Sequence, residues 1–228
     1  MSIEHTLVRQ ILLWLHERHN RWQQNQQGPA SRFHDKVSGI LAPFSGAQLE
    51  GLLSKNLKFY SLQMNTYLFL EPINEGAGIV PVLSFRYNFQ RSNAELWLQL
   101  ALFVPHDNGI AAIGCRFEPP EGPGTHNYFH AQMFRAFQGG GKELPCCPPW
   151  LPISRPAFHL KADDPVTLLI CMVISLYGLG RAQDLEQEAS FANELKPYMN
   201  RLCPKDVVRR NQPAITEPMG RRARRTRG

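Results

Sequence analysis

Long apolar runs are the first thing this sequence lacks. Its most apolar stretch, Val166 to Leu179, is 14 residues long and includes Thr167 and Ser175, whereas a helix needs roughly 20 residues to cross a bilayer. A buried core helix is expected there, and no membrane contact. The opening residues, MSIEHTLVRQILLWLHERHNRW, interrupt their apolar positions with charges at helical spacing, so no secretory leader is expected either. Cysteine is sparse and odd in number: five residues, Cys115, Cys146, Cys147, Cys171 and Cys203. That usage argues against a disulfide framework and for reduced thiols in a cytoplasmic protein.

The signatures of several enzyme classes are missing as well. The sequence has no C-x-x-C, no H-E-x-x-H, no phosphate-cradling G-x-x-x-x-G-K-[ST] and no G-x-S-x-G. The GGGK run at Gly139 to Lys142 lacks the Ser or Thr that would hold magnesium and reads as a flexible connector. Adjacent Cys146 and Cys147 do not readily present both sulfurs to one ion, which disfavours zinc held by them with His126, His130 or His159. Neither a metal nor a cofactor is expected.

What is present has the balance of a globular domain: 228 residues, 43% hydrophobic and 19% charged. The net charge of +6 is unevenly placed. Of 25 basic and 19 acidic residues, eight and two respectively fall between Pro204 and Gly228, leaving 17 of each before them. The reading is a neutral α+β domain over residues 1–203 followed by a basic, flexible tail over 204–228.

Periodicity supplies the architecture. Ile3, Leu7, Ile11, Trp14 and Leu15 recur near 3.6 residues and predict an amphipathic helix to about Gln27, with His5, His19 and Arg21 on its polar face. Ser45 and Gln48 have capping-box spacing ahead of Leu49, Leu52 and Leu53 and predict a second helix. The segment between, SRFHDKVSGILAP, has no clear pattern. The period then drops to two. Leu83, Phe85, Tyr87 and Phe89 alternate with polar residues; Leu96, Leu98, Leu100, Leu102 and Val104 share a face; Ile113, Cys115 and Phe117 oppose Arg116 and Glu118. Short Asn- and Gly-bearing links predict an antiparallel β-meander of about five strands, flanked by N-terminal and C-terminal helices. After the proline-rich LPCCPPWLPISRP, Asp164 at a cap position, Pro165 at the first helical position and Gly178 mark a helix that is apolar all round and therefore central. A last helix aligns Phe191, Leu195, Met199 and Leu202, with a kink or split expected at Pro197.

The stretch CRFEPPEGPGTHNYFHAQMFRAF holds the candidate site. His126 and His130 are close neighbours if it is helical but roughly 13 Å apart if it is a strand. Clean separation of parities favours a strand, with His126, Tyr128, His130 and Gln132 on one face. Arg86, Arg116, Glu118, His130 and Gln132 then share a polar sheet face with Tyr128 and His126 towards its end. That row is either a hydrogen-bonded feature of the sheet, a recognition surface, or a hydrolytic site with Glu118 and a histidine carrying protons.

At the chain end, Arg209, Arg210, Arg221, Arg222, Arg224, Arg225 and Arg227 offer planar, permanently charged forks suited to phosphate oxygens. DNA or RNA contact there would be sequence-tolerant. The leading expectation is a non-enzymatic accessory protein that docks on a protein or nucleoprotein complex and contacts nucleic-acid phosphates through this tail. The alternative is a hydrolase or nuclease using His126 and His130, of the kind a bacterial antiviral defence system would employ. No family is named by any motif.

Overall fold

The computed structural model describes residues 3–25, 29–41, 61–73, 78–88, 96–106, 109–118, 130–133, 136–139, 142–145, 157–159, 164–188 and 191–202. Among them are five helices and eight strands. The helices are α1 (Ile3–Asn25), α2 (Pro29–Leu41), α3 (Pro165–Tyr177), α4 (Leu179–Glu188) and α5 (Ala192–Leu202). The strands are β1 (Ser61–Phe69), β2 (Val80–Asn88), β3 (Leu96–His106), β4 (Gly109–Glu118), β5 (His130–Met133), β6 (Ala136–Gly139), β7 (Lys142–Pro145) and β8 (Ala157–His159). The class is α+β, as the change of period implies.

The main sheet is antiparallel in the order β1-β2-β3-β4-β5-β8, so the first four strands form the expected meander. The strand count differs from about five because two short strands, β5 and β8, extend the four long ones, and β6 and β7 pair separately as a hairpin. The GGGK run sits at that hairpin, where Gly139 pairs with Lys142. Between β1 and β2 the chain turns through Gly78, whose φ of +67° is a conformation in which a side chain would be strained.

The two faces of the sheet are covered differently. On one, Leu68, Leu83, Leu98, Leu100 and Phe117 pack against Leu7, Ile11 and Leu15 of α1, Leu168, Leu169 and Val173 of α3, Leu185 of α4 and Leu195 of α5. On the other, Phe33, Val37 and Leu41 of α2 cover Tyr67, Val80, Val82, Ala101, Phe103 and Ala112. Each fully buried Leu or Val contributes on the order of 1.5–3 kcal/mol. The segment without a clear sequence pattern is helical as far as Leu41, with Phe33, Val37 and Leu41 as its apolar stripe against the sheet.

Helix α3 forms as its punctuation predicts. Asp164 Oδ1 accepts from the Thr167 backbone N–H at 2.8 Å, and its Oδ2 accepts from both the Thr167 hydroxyl at 2.6 Å and Arg201 at 3.2 Å. Gly178, with φ +82°, donates its N–H to the Ile174 carbonyl and ends the helix. The C-terminal segment differs from expectation. It breaks between Glu188 and Ala192, and Pro197 lies inside α5 instead of splitting it. Phe191, Leu195 and Met199 are nonetheless buried as a stripe.

The predicted helix at Ser45 to Leu53, the proline-rich run after Pro145 and the tail from Cys203 onward lie outside the described residues. Among the described residues, no helix is long and apolar enough to cross a membrane.

Candidate functional site: a polar ladder across the sheet

Because residues paired across neighbouring strands share a face, the register assembles the candidate site directly. One rung crosses all six strands: Tyr67, Ser84, Gln99, Arg116, Gln132 and Ala157, each paired with the next. Its first member, Tyr67, packs with α2, and Ser84 and Gln99 follow one rung beyond Val82 and Ala101. Ser84 and Gln99 are buried, at 2% and 6% exposure, and Arg116 is partly buried. The β2–β3 part of this row is therefore an interior polar feature, not an open surface. Such groups are kept inside a fold only with hydrogen-bond partners.

A second rung lies two residues farther along. Arg86 pairs with Trp97, and Glu118 pairs with His130, which in turn pairs with His159. Arg86, Arg116, Glu118, His130 and Gln132 accordingly share one sheet face, and His130 opens strand β5. Tyr128 and His126 fall outside the described residues, as do all seven tail arginines. The sequence gives no hint that His159 is the strand neighbour of His130. It sits in the three-residue strand β8, after a proline-rich run, where there is too little alternation to read.

Two titratable groups near the row have chemistry typical of a core. Cys115, on the opposite face of β4, is a free thiol whose pKa burial pushes up to about 11, so it is protonated and inert near neutrality. Tyr67, at the start of the polar rung, is pushed up to about 12 by burial. Neither has the lowered pKa of an activated group.

A second polar cluster went unread in the sequence. His19 of α1 and His34 of α2 are both buried, with their Nε2 atoms 2.9 Å apart, so one ring donates the proton that the other accepts. Around them stand Trp22, 5.4 Å from His34, and Phe69, 4.9 Å from His34 between ring centroids. Asp35 Oδ1 lies 3.7 Å from His34 Nδ1. Burial lowers both imidazole pKa values, and that of His19 falls to about 4 with help from the neighbouring His34 and His16. His5 and His19 are thus interior groups, correcting their assignment to the polar face of α1.

A third cluster joins the helical layer to the end of β1. Glu71 receives Arg18 Nε at 3.2 Å and an Arg181 guanidinium nitrogen at 3.4 Å, while the Tyr177 hydroxyl donates to its backbone carbonyl at 2.7 Å. Arg181 also reaches Asp184 at 3.3 Å. These are complementary, mutually satisfied pairs and read as a structural clasp.

Among the described residues, no group of three or more His, Cys, Asp or Glu side chains is placed to hold a metal ion. No protein-family model matches the chain, and comparison with curated proteins and with solved structures finds no match.

Proposed function

We propose that this chain is a non-enzymatic cytosolic accessory domain that docks on a protein or nucleoprotein complex and contacts nucleic-acid phosphates through its arginine-rich end. The observation that carries this reading is the segregation of charge: a formally neutral body, and eight basic against two acidic residues from Pro204 onward. A domain that gripped nucleic acid with its fold would carry its basic excess there. Burial of Ser84 and Gln99 supports an interior role for that part of the polar row and leaves docking to other surfaces of the body.

Replacing Arg209, Arg210, Arg221, Arg222, Arg224, Arg225 and Arg227 with Gln in the full chain is expected to weaken binding to DNA and RNA oligonucleotides about equally across sequences, as followed by fluorescence anisotropy. Unchanged affinity would overturn the tail's role. The docking half is tested by tagged recovery of the chain from its native cells, which is expected to return one partner in fixed stoichiometry.

The pairing of Glu118 with His130 favours one second reading, a hydrolase or nuclease in which the histidine moves the proton and the carboxylate supports it. On that reading His130→Ala abolishes hydrolysis and leaves the melting temperature nearly unchanged. A large fall in melting temperature without any activity to lose returns the residue to a structural role.

A further inference from the structure

We propose that His19 and His34 form an acid-released latch, which holds α2 over its face of the sheet and frees that helix alone when the pair takes up a second proton. The placement of the pair carries the inference. Helix α1 belongs to the larger core through Leu7, Ile11 and Leu15, and α2 to the smaller one through Phe33, Val37 and Leu41; neither core draws buried residues from both helices. Both helices contribute instead to one aromatic pocket beside β1. There His19 and Trp22 of α1 and His34 of α2 gather round Phe69, with ring centroids 4.9 to 6.0 Å apart. Release of α2 therefore leaves the packing of α1 in the larger core intact. Segments held by few buried side chains are the ones that open locally, and opening here uncovers Tyr67, Val82 and Phe103 of the sheet.

The pocket has room for one proton between the facing nitrogens and none for two. With the Nε2 atoms 2.9 Å apart, a second proton sets N–H against N–H. The buried Trp22 indole N–H already has no hydrogen-bond partner, so the pocket offers no spare acceptor beside it. The groups around the pair decide little in favour of charge. On α1, His16 is joined to Asn20 at 3.0 Å and a charge on it opposes one on His19, while Arg18 is drawn away to Glu71 at 3.2 Å. On α2, Asp35 stands 3.7 Å from His34 Nδ1 and favours charge there, but its side chain is 70% exposed and solvent weakens the attraction. From β1 the pocket meets the Phe69 ring, and Tyr67, two residues back, stays protonated throughout the acid range. Burial thus prevails, and both imidazoles are less basic in the pocket than in water. Released, they regain their ordinary basicity, so acid favours the open form and neutral pH the closed one. The latch does not involve the arginine tail, and its failure leaves the proposed function untouched.

The test is hydrogen exchange of the full chain, read by mass spectrometry at several pH values from neutral down to the acid range and corrected for the intrinsic pH dependence of amide exchange. Below pH 6.5, protection across α2 is expected to fall by about tenfold per pH unit, because one proton taken up on opening multiplies the open population by that factor. Protection across α3 should hold over the same range. His19→Gln should make the α2 profile shallower, and His19→Gln with His34→Gln should flatten it. Loss of protection in α2 and α3 together, an α2 profile that ignores pH, or an undiminished slope in His19→Gln would overturn the latch. The comparison of α2 with α3 is read on the unsubstituted chain, so the test survives a variant that does not fold.

Discussion

The His19 and His34 rings share a single proton across 2.9 Å, in a pocket walled by Trp22 and Phe69. Adding a second proton breaks that bond and places charge where burial opposes it. Both pKa values are lowered from 6.5, that of His19 to about 4, while Asp35 partly supports a charge on His34. The unfolded chain therefore takes up protons as pH falls below 6.5, while His19 in the folded chain does not follow until about pH 4. Stability is lost across that window, by roughly 3 kcal/mol for His19 alone. Thermal melts from pH 8 to pH 4 should show the melting temperature falling below pH 6.5, with a shallower slope in His19→Gln. A melting temperature flat to pH 4.5 would contradict the pairing. Nothing in the sequence reveals this pair, because residues 19 and 34 meet only when α1 and α2 pack, and a histidine beside Arg18 or Asp35 looks solvated.

At the scale of elements, legibility followed punctuation. Helix α3 was readable to the residue because Asp164, Pro165 and Gly178 each act through local backbone chemistry. Removing the cap with Asp164→Ala leaves the Thr167 N–H without its acceptor and takes a carboxylate from Arg201, and should cost about 1–2 kcal/mol in urea unfolding. Helix α2 was not readable, since its 13 residues carry only a short apolar stripe. The break in the C-terminal segment was misplaced for a different reason. Proline removes a single hydrogen bond, and burial of Leu195 and Met199 on either side of Pro197 outweighs that loss. Pro197→Ala should accordingly stabilise the protein by about 1–3 kcal/mol, read from the shift in denaturation midpoint. In the meander, alternation identified both faces of β2, β3 and β4, and thereby placed Arg116, Glu118, His130 and Gln132 together before any register was known. It missed His159, whose strand is too short to show a period.

For the molecule as a whole, the core is two-sided, and its larger half lies between the sheet and α1, α3, α4 and α5. Leu169, fully buried there, sets the scale: Leu169→Ala should lower stability by about 2–5 kcal/mol in equilibrium unfolding, and a loss below 1 kcal/mol would mean that α3 is not central. The proposed function belongs to the same scale, because it rests on a neutral body joined to a basic end whose sequence carries no apolar periodicity. The most direct test is the salt dependence of binding to single- and double-stranded DNA and RNA, comparing the full chain with one ending at Cys203. The account predicts binding by the full chain that falls as salt rises, with a log–log slope of roughly −0.7 to −0.9 per phosphate contacted, and loss of that binding when residues 204–228 are removed. Equal binding by both chains, or none by either, would contradict it.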